Sequence, residues 1–159
     1  MTALAIRQAE AKDASRLNAA LNALSAHLGD RHRAKDSHIA KAGWGDAPVF
    51  RAVLAEEGAK VVGVALYSAI FSTIRGGTGL YVSDLWVAED LRGTGLGKRL
   101  LAAAAGDAER VWDAGFMKLS VYESNEGARA AYLRMGFTAH ENETNLSLDA
   151  AGLERLRTE

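Results

Sequence analysis

The chain has no cysteine and a single proline, Pro48, in 159 residues. Without cysteine there is no disulfide, no thiolate zinc site and no cysteine nucleophile, though the absence alone assigns no compartment. Charge of either sign is also not in excess. Lys and Arg total 19 against 20 Asp and Glu, so no basic surplus exists to hold a nucleic-acid backbone or an anionic membrane. No apolar run reaches the roughly 18 residues that cross a bilayer, and the first residues lack a basic segment followed by a long apolar stretch. Neither nucleic acid nor a membrane is an expected partner, and a cytoplasmic protein is the simplest expectation. What is present is 48% hydrophobic residues, enough for one core, and a single domain over residues 1–159 is expected.

Residues 4–9 read as a first strand. Asp13 or Ser15 is then placed to cap a helix whose Leu17, Leu21, Leu24 and Leu28 recur at helical spacing, with Gly29 and Asp30 ending it. Residues 30–47 are polar, and Gly43-Trp44-Gly45 and Pro48 mark a loop or short helix. Residues 49–56 and 60–71 read as a hairpin turning near Glu57-Gly58, and 78–87 as the next strand. The spacing of Leu96, Leu100, Leu101, Ala104, Ala108 and Val111 predicts a helix over 95–114 stopped by Gly115. Residues 117–122 read as a strand and 125–135 as a helix ended by Gly136. A further strand from Phe137, partnered near 145–148, and a tail helix over 150–157 complete the pattern.

The most informative segment runs from an apolar strand into a glycine-rich turn: Leu80-Tyr-Val-Ser-Asp-Leu-Trp-Val87, then Arg92-Gly-Thr-Gly-Leu-Gly-Lys98. Helix N-termini carry amide N–H groups without intrahelical partners and partial positive charge, so they bind anions largely through backbone. A Walker P-loop does not fit, since Arg92 stands where its first glycine belongs and Arg99 follows Lys98. The dinucleotide fingerprint also fails, because Gly93, Gly95 and Gly97 are spaced strictly by two.

Arg92-x-x-Gly95-x-Gly97 preceded by Leu85-x-Val87 resembles the acyl-CoA-binding motif of the GNAT superfamily of N-acetyltransferases. Downstream, Asn125-x-x-Ala128-x-x-x-Tyr132-x-x-x-Gly136-Phe137 resembles that family's second signature helix. The resemblance spans residues 80–137. It implies an α/β fold with a mixed, mostly antiparallel sheet flanked by helices, whose fourth and fifth strands (80–87 and 117–122) run parallel and splay apart to admit acetyl-CoA. It further implies that the peptide groups of Leu85, Trp86 and Val87 bond the acetyl and pantetheine portions. Arg92, Gly93, Thr94, Gly95, Leu96, Gly97 and Lys98 would hold the pyrophosphate, and Asn125 would lie beside the pantetheine arm.

The reaction so implied is direct attack of a neutral amine on the thioester, with the Leu85 N–H as oxyanion donor. Tyr132 is the candidate acid for the departing thiolate, a phenol of pKa about 10 against a thiol of about 8.5. Relatives often carry a glutamate in the middle of the fourth strand. Here Val82 and Ser83 occupy that stretch, and Asp84 is the only carboxylate. Because side chains alternate along a strand, Asp84 serves as base or water-chain anchor only if a bulge re-aims it; otherwise it is a buried, hydrogen-bonded carboxylate or an attractor of cations. His27, His32 and His38 with Asp30 and Asp36 match no metal-ligand spacing and read as a solvated surface. Trp44 and Trp86 line an acceptor pocket or simply pack, and Arg129 reaches a CoA phosphate or faces water. The expected acceptor is the primary amine of a small molecule, such as a polyamine, aminoglycoside or amino acid, with residues 25–48 shaping its pocket. Residues 81–87 look somewhat like the diamine-acetylating branch. Alternatives are a protein N-terminal or lysine acetyltransferase, or a CoA-binding regulatory module without turnover. Relatives commonly pair, which makes a homodimer an expectation.

Overall fold

A computed structural model describes residues 3–159. Two compact units divide the chain, Met1–Ser120 and Val121–Glu159.

The first unit contains β1 (Leu4–Gln8), α1 (Ala14–Leu28), α2 (Asp36–Trp44), β2 (Arg51–Glu57), β3 (Lys60–Ser72), β4 (Gly77–Val87), α3 (Leu96–Trp112) and β5 (Met117–Leu119). The five strands lie in chain order in one sheet. The first four pair antiparallel, and β5 joins β4 in parallel, giving the mixed, helix-flanked α/β architecture expected. Alternation divides the strand residues between two cores. Ala52, Leu54, Val64 and Leu66 meet Leu17 and Leu21 of α1 and Ile39 of α2 on one face. On the other face lies α3, whose Leu100 comes so close to Gly63 that a Cβ there would sit 2.8 Å from a Leu100 methyl. Leu17, Leu54, Val64 and Leu100 are fully buried, each worth about 1.5–3 kcal/mol of apolar transfer.

Two charge clusters tie helices to strands. Asp13 does not cap α1 through its side chain, and neither does Ser15. The Asp13 carboxylate instead accepts both ends of the Arg7 fork at 2.8 and 2.9 Å and the Glu10 N–H at 2.8 Å. Arg7 and Arg16 also share Glu56, each at 2.6 Å. The Arg7 hydrogen bonds outweigh burial and hold Asp13 down to about 2. On the other face, buried Asp107 of α3 accepts from Arg51 at 2.6 and 3.0 Å and from the Tyr67 hydroxyl at 2.6 Å. Burial alone would raise Asp107, but these donors and Arg110 keep it below the ordinary carboxylate range.

Several boundaries differ from expectation for local reasons. Residues 36–44 form a full helix. Gly29 ends α1 in the left-handed region as expected. α3 ends earlier than Gly115, because Asp113 takes the left-handed conformation at φ 54°, and the Gly115 N–H then donates to Thr78 O. β5 stops at Leu119 rather than 122.

In the second unit, α4 (Glu126–Arg134) and α5 (Ala150–Arg157) are the regular elements among the described residues. The strands expected from Phe137 and near 145–148 are absent. Residues 138–149 are exposed throughout, Leu146 at 90%, so no buried face exists to set a strand register.

Two glycine replacements should move stability in opposite directions. A Cβ on Gly79 would lie 2.6 Å from the Phe116 carbonyl oxygen, whereas one on Gly106, within α3, meets nothing. Gly79→Ala should cost about 1–3 kcal/mol by overpacking, and Gly106→Ala should gain up to about 1 kcal/mol of helix propensity, both read from urea denaturation midpoints.

Candidate active site

The site begins with an irregularity in β4. Leu66 pairs with Asp84 but Tyr67 with Val82, so Ser83 is an extra residue, a bulge. The Ser83 hydroxyl donates to the Leu66 carbonyl at 3.3 Å and pins it. Val82 pairs with Tyr67, whose hydroxyl reaches α3, and in an unbroken strand Asp84 would share that face. The bulge moves it to the α1–α2 face, beside Leu66 and Trp86, which pack with that core.

The same register settles which peptide groups are open. Ala88 N–H donates to Val62 O, so Val64 and Trp86, two residues along, are the next hydrogen-bonded pair, and Gly63–Val87 and Ala65–Leu85 are the non-bonded pairs between. The N–H and C=O of Leu85 and Val87 therefore point away from β3. β5 pairs only with Leu80, Tyr81 and Val82, leaving this stretch of edge open on that side. The Trp86 peptide groups pair with β3, and its side chain packs against the α1–α2 core.

The turn after β4 fits an anionic ligand in its own right. Gly93 and Gly95 have φ of 80° and 88°, and Gly95 precedes α3 without a capping side chain of its own, so the N–H groups of Leu96, Gly97 and Lys98 have no cap acceptor among the described residues. Arg92, Lys98 and Arg99 are exposed around them. Arg92 Nε donates to Val87 O at 3.0 Å, and Thr94 Oγ1 donates to Leu91 O. Gly97 turns toward β4, where a Cβ would be 3.9 Å from methyls of Leu85 and Val87.

In the second unit, the Asn125 side chain accepts from Ala128 N–H and caps α4. Tyr132 stands edge-on to Phe137 with ring centres 5.5 Å apart, and burial raises its hydroxyl above the ordinary phenol value. Gly136 follows the helix with φ 105°. Arg129 pairs with Glu141 at 3.2 Å.

The α1–α2 face holds a constellation that sequence reasoning missed. Asp84 is half-buried, and burial raises its carboxyl above the usual range; a Ser83 hydrogen bond and the charge of His32 oppose that rise. His32, expected in a solvated surface, is half-buried, with Nδ1 2.9 Å from Ser25 Oγ and Nε2 2.8 Å from Asn18 Oδ1. Asn18 donates onward to Ala34 O and to Asp36 Oδ1. His27 and His38 are exposed, and no group of three potential metal ligands is gathered among the described residues. The signal in the chain was Asn18 and Ser25, seven residues apart and so on one helical face. Trp44 packs edge-on against Phe50. It also borders a cavity of about 920 Å³ with Gln8, Arg51 and Trp112, at the opposite end of α3 from Gly95.

The sequence model of the Acetyltransferase (GNAT) family matches residues 7–137. The chain belongs to the GNAT acetyltransferase family. It is an N-acetyltransferase, similar to thialysine N-epsilon-acetyltransferase of Sus scrofa at 27% identity over 148 residues, covering 86% of this chain and 85% of that one. Among solved structures, an aminoglycoside acetyltransferase from an uncultured soil metagenomic sample superposes with TM-score 0.76 at 17% identity, covering 92% of this chain and 95% of its own. A predicted acetyltransferase from Clostridium acetobutylicum, solved with acetyl-CoA, superposes with TM-score 0.74 at 18% identity, covering 91% of this chain and 96% of its own. These two structural likenesses show the fold. No helix among the described residues of this acetyltransferase is long and apolar enough to cross a membrane.

The glycines of the turn should separate by conformation. Gly95→Ala forces a side chain into the left-handed region and should cost about 1–2 kcal/mol, while Gly97→Ala, with open contacts, should change stability by less than about 0.5 kcal/mol. Thermal unfolding of both variants reads this directly.

Proposed function

We propose that this acetyltransferase moves the acetyl group of acetyl-CoA to the primary amine of a small cationic molecule by direct attack, and that residues 1–159 act as one catalytic domain. The family match runs through both compact units, which supports the single domain. The observation that carries the reading is the Ser83 bulge. It turns Asp84 to one face of β4 and leaves the Leu85 and Val87 peptide groups on the open edge, so a carboxylate and an N–H for the carbonyl oxygen flank one point on the strand. On this reading Leu85 and Val87 bond the pantetheine arm as an added strand would, and the Leu85 N–H stabilises charge growing on the thioester oxygen. The uncapped start of α3, with Arg92, Gly93, Thr94 and Lys98, holds the pyrophosphate. Asp84 attracts the ammonium group and takes its proton, directly or through water. Asn125 shapes the second signature helix, and Tyr132 supplies the proton that the departing thiolate needs; its raised pKa keeps the phenol protonated at neutral pH.

A small cationic acceptor is favoured by Asp84 on the α1–α2 face and by the thialysine enzyme's likeness over most of both chains. Titration calorimetry should detect CoA binding to the wild-type protein, and absence of any heat would remove the foundation of the reading. Lys98→Ala, which removes an exposed cation beside the turn, should weaken CoA at least about threefold by loss of a charge-assisted contact. Tyr132→Phe should lower kcat about 100-fold or more, as loss of a general acid does, while CoA affinity stays within about twofold. Both are measured by thiol release over a panel of amines and by calorimetry. An unchanged kcat in Tyr132→Phe would assign the proton to another donor.

A further inference from the structure

We propose that the cavity at the far end of α3 is a second ligand site, fitted to a small aromatic carboxylate and separate from the site of acetyl transfer. It stands independently of the acetyl-transfer reading.

The cavity follows from where the strands stop. β1 ends at Gln8, opposite Val53, and the chain then turns into a short helical turn at Ala11–Asp13. β2 begins at Arg51, opposite Tyr67, so β3 runs on from Ser68 to Ser72 paired only with β4 among the described residues. The space beyond these strand ends measures about 920 Å³ and is bordered by Trp44 and Phe50 from the α1–α2 face and by Trp112 from α3. Aromatic-lined cavities of about 300–1,000 Å³ are the size that takes small molecules. The rings are already held in place. Trp44 stands edge-on to Phe50 with centres 5.8 Å apart, and Trp112 edge-on to Tyr67 at 6.2 Å, so an aromatic body meets ring faces and edges that need no ordering on binding.

Arg51 supplies the polar end. Its clamp on Asp107 uses Nε and Nη2, at 2.6 and 3.0 Å, and a guanidinium carries five N–H groups, so the Nη1 edge takes no part in the clamp. Asp107 is 3% exposed and the Arg51 side chain 33%, and Arg51 lines the cavity; what it offers a ligand is the edge that Asp107 does not cover. Charge settles the sign of the ligand. Asp107 is shared by Arg51 and Arg110, two cations on one anion, while Glu10 on the cavity wall is paired with Lys12 at 3.2 Å. One positive charge is left over, which a carboxylate balances through charge-assisted N–H bonds and an amine does not. The ligand class is therefore opposite in charge to the proposed acceptor. Leu96 and Trp112 bound α3, which at the helical rise sets the cavity roughly 24 Å from the turn at residues 92–98, so a small molecule here leaves that turn free.

The probe is 3-phenylpropionate, titrated into the ¹⁵N-labelled full chain. The chain has three tryptophans; the indole N–H signals of Trp44 and Trp112 should shift saturably while that of Trp86 stays in place. Uncharged 3-phenylpropionamide and ringless propionate should each bind at least about tenfold more weakly. Arg51→Gln should weaken the probe at least about tenfold. Because that change also loosens Asp107, Val49→Glu is the second variant: Val49 lines the cavity and is 67% exposed, and a carboxylate there should weaken the probe at least about fivefold by repulsion with the thermal midpoint unchanged. Calorimetric CoA affinity at saturating probe should change by less than about twofold, as for separated sites. Unmoved Trp44 and Trp112 signals at millimolar probe would overturn the site. Equal binding of the amide, or full affinity in Val49→Glu, would overturn the carboxylate class, and displacement of the probe by CoA would overturn the separation of the two sites.

Discussion

Ser83, the extra residue in β4, is the constraint around which the site is arranged. A regular strand sends alternate side chains to alternate faces and alternate peptide groups to alternate edges. Asp84 would then lie on the α3 face, which Val82 and Tyr67 share. Inserting Ser83 reverses the parity of everything after it. Asp84 comes round to the α1–α2 face, Trp86 joins the core there, and Leu85 and Val87 pack toward Gly97 of α3 while their peptide groups point away from β3. β5 pairs only as far as Val82 and does not reach those peptide groups, of which the Val87 carbonyl accepts from Arg92.

Such an open edge persists only if the strands around it cannot slide to close it. The two buried carboxylates supply that rigidity. Asp13 binds Arg7 and Arg16, which Glu56 also bridges, and Asp107 clamps Arg51 of β2 and Tyr67 of β3 to α3. Removing Arg7 or Arg51 would leave a buried carboxylate without its main partner, at a cost of about 1–3 kcal/mol. Asp84 is the contrasting case, a half-buried carboxylate with no arginine or lysine salt bridge among the described residues.

Much of the site was legible in the chain. The glycine-rich turn, the start of α3 and the Asn125 to Phe137 helix follow from spacing, because caps, turns and helix starts are local chemistry. Asp84 could be named but not aimed, since a bulge shows only when two strands are set side by side. The outward-facing peptide groups could not be read for the same reason, since they depend on the phase of pairing with β3. The strands expected after Phe137 failed because local β-propensity without a buried face specifies nothing. His32 was dismissed as surface because its partners, Asn18 and Ser25, belong to another element.

The order of elements from β1 to α4 and the glycine-permitted turn at residues 92–98 were determined by the sequence alone, since each depends on periodicity or on backbone conformations that glycine permits. The tertiary structure alone decided the side to which Asp84 turns, which strand amides stay open, and that His32 meets Ser25 and Asn18 of α1. Those are relations between segments far apart in the chain, set by strand register and by how α1 and the loop after it pack over the sheet, and no local pattern encodes them.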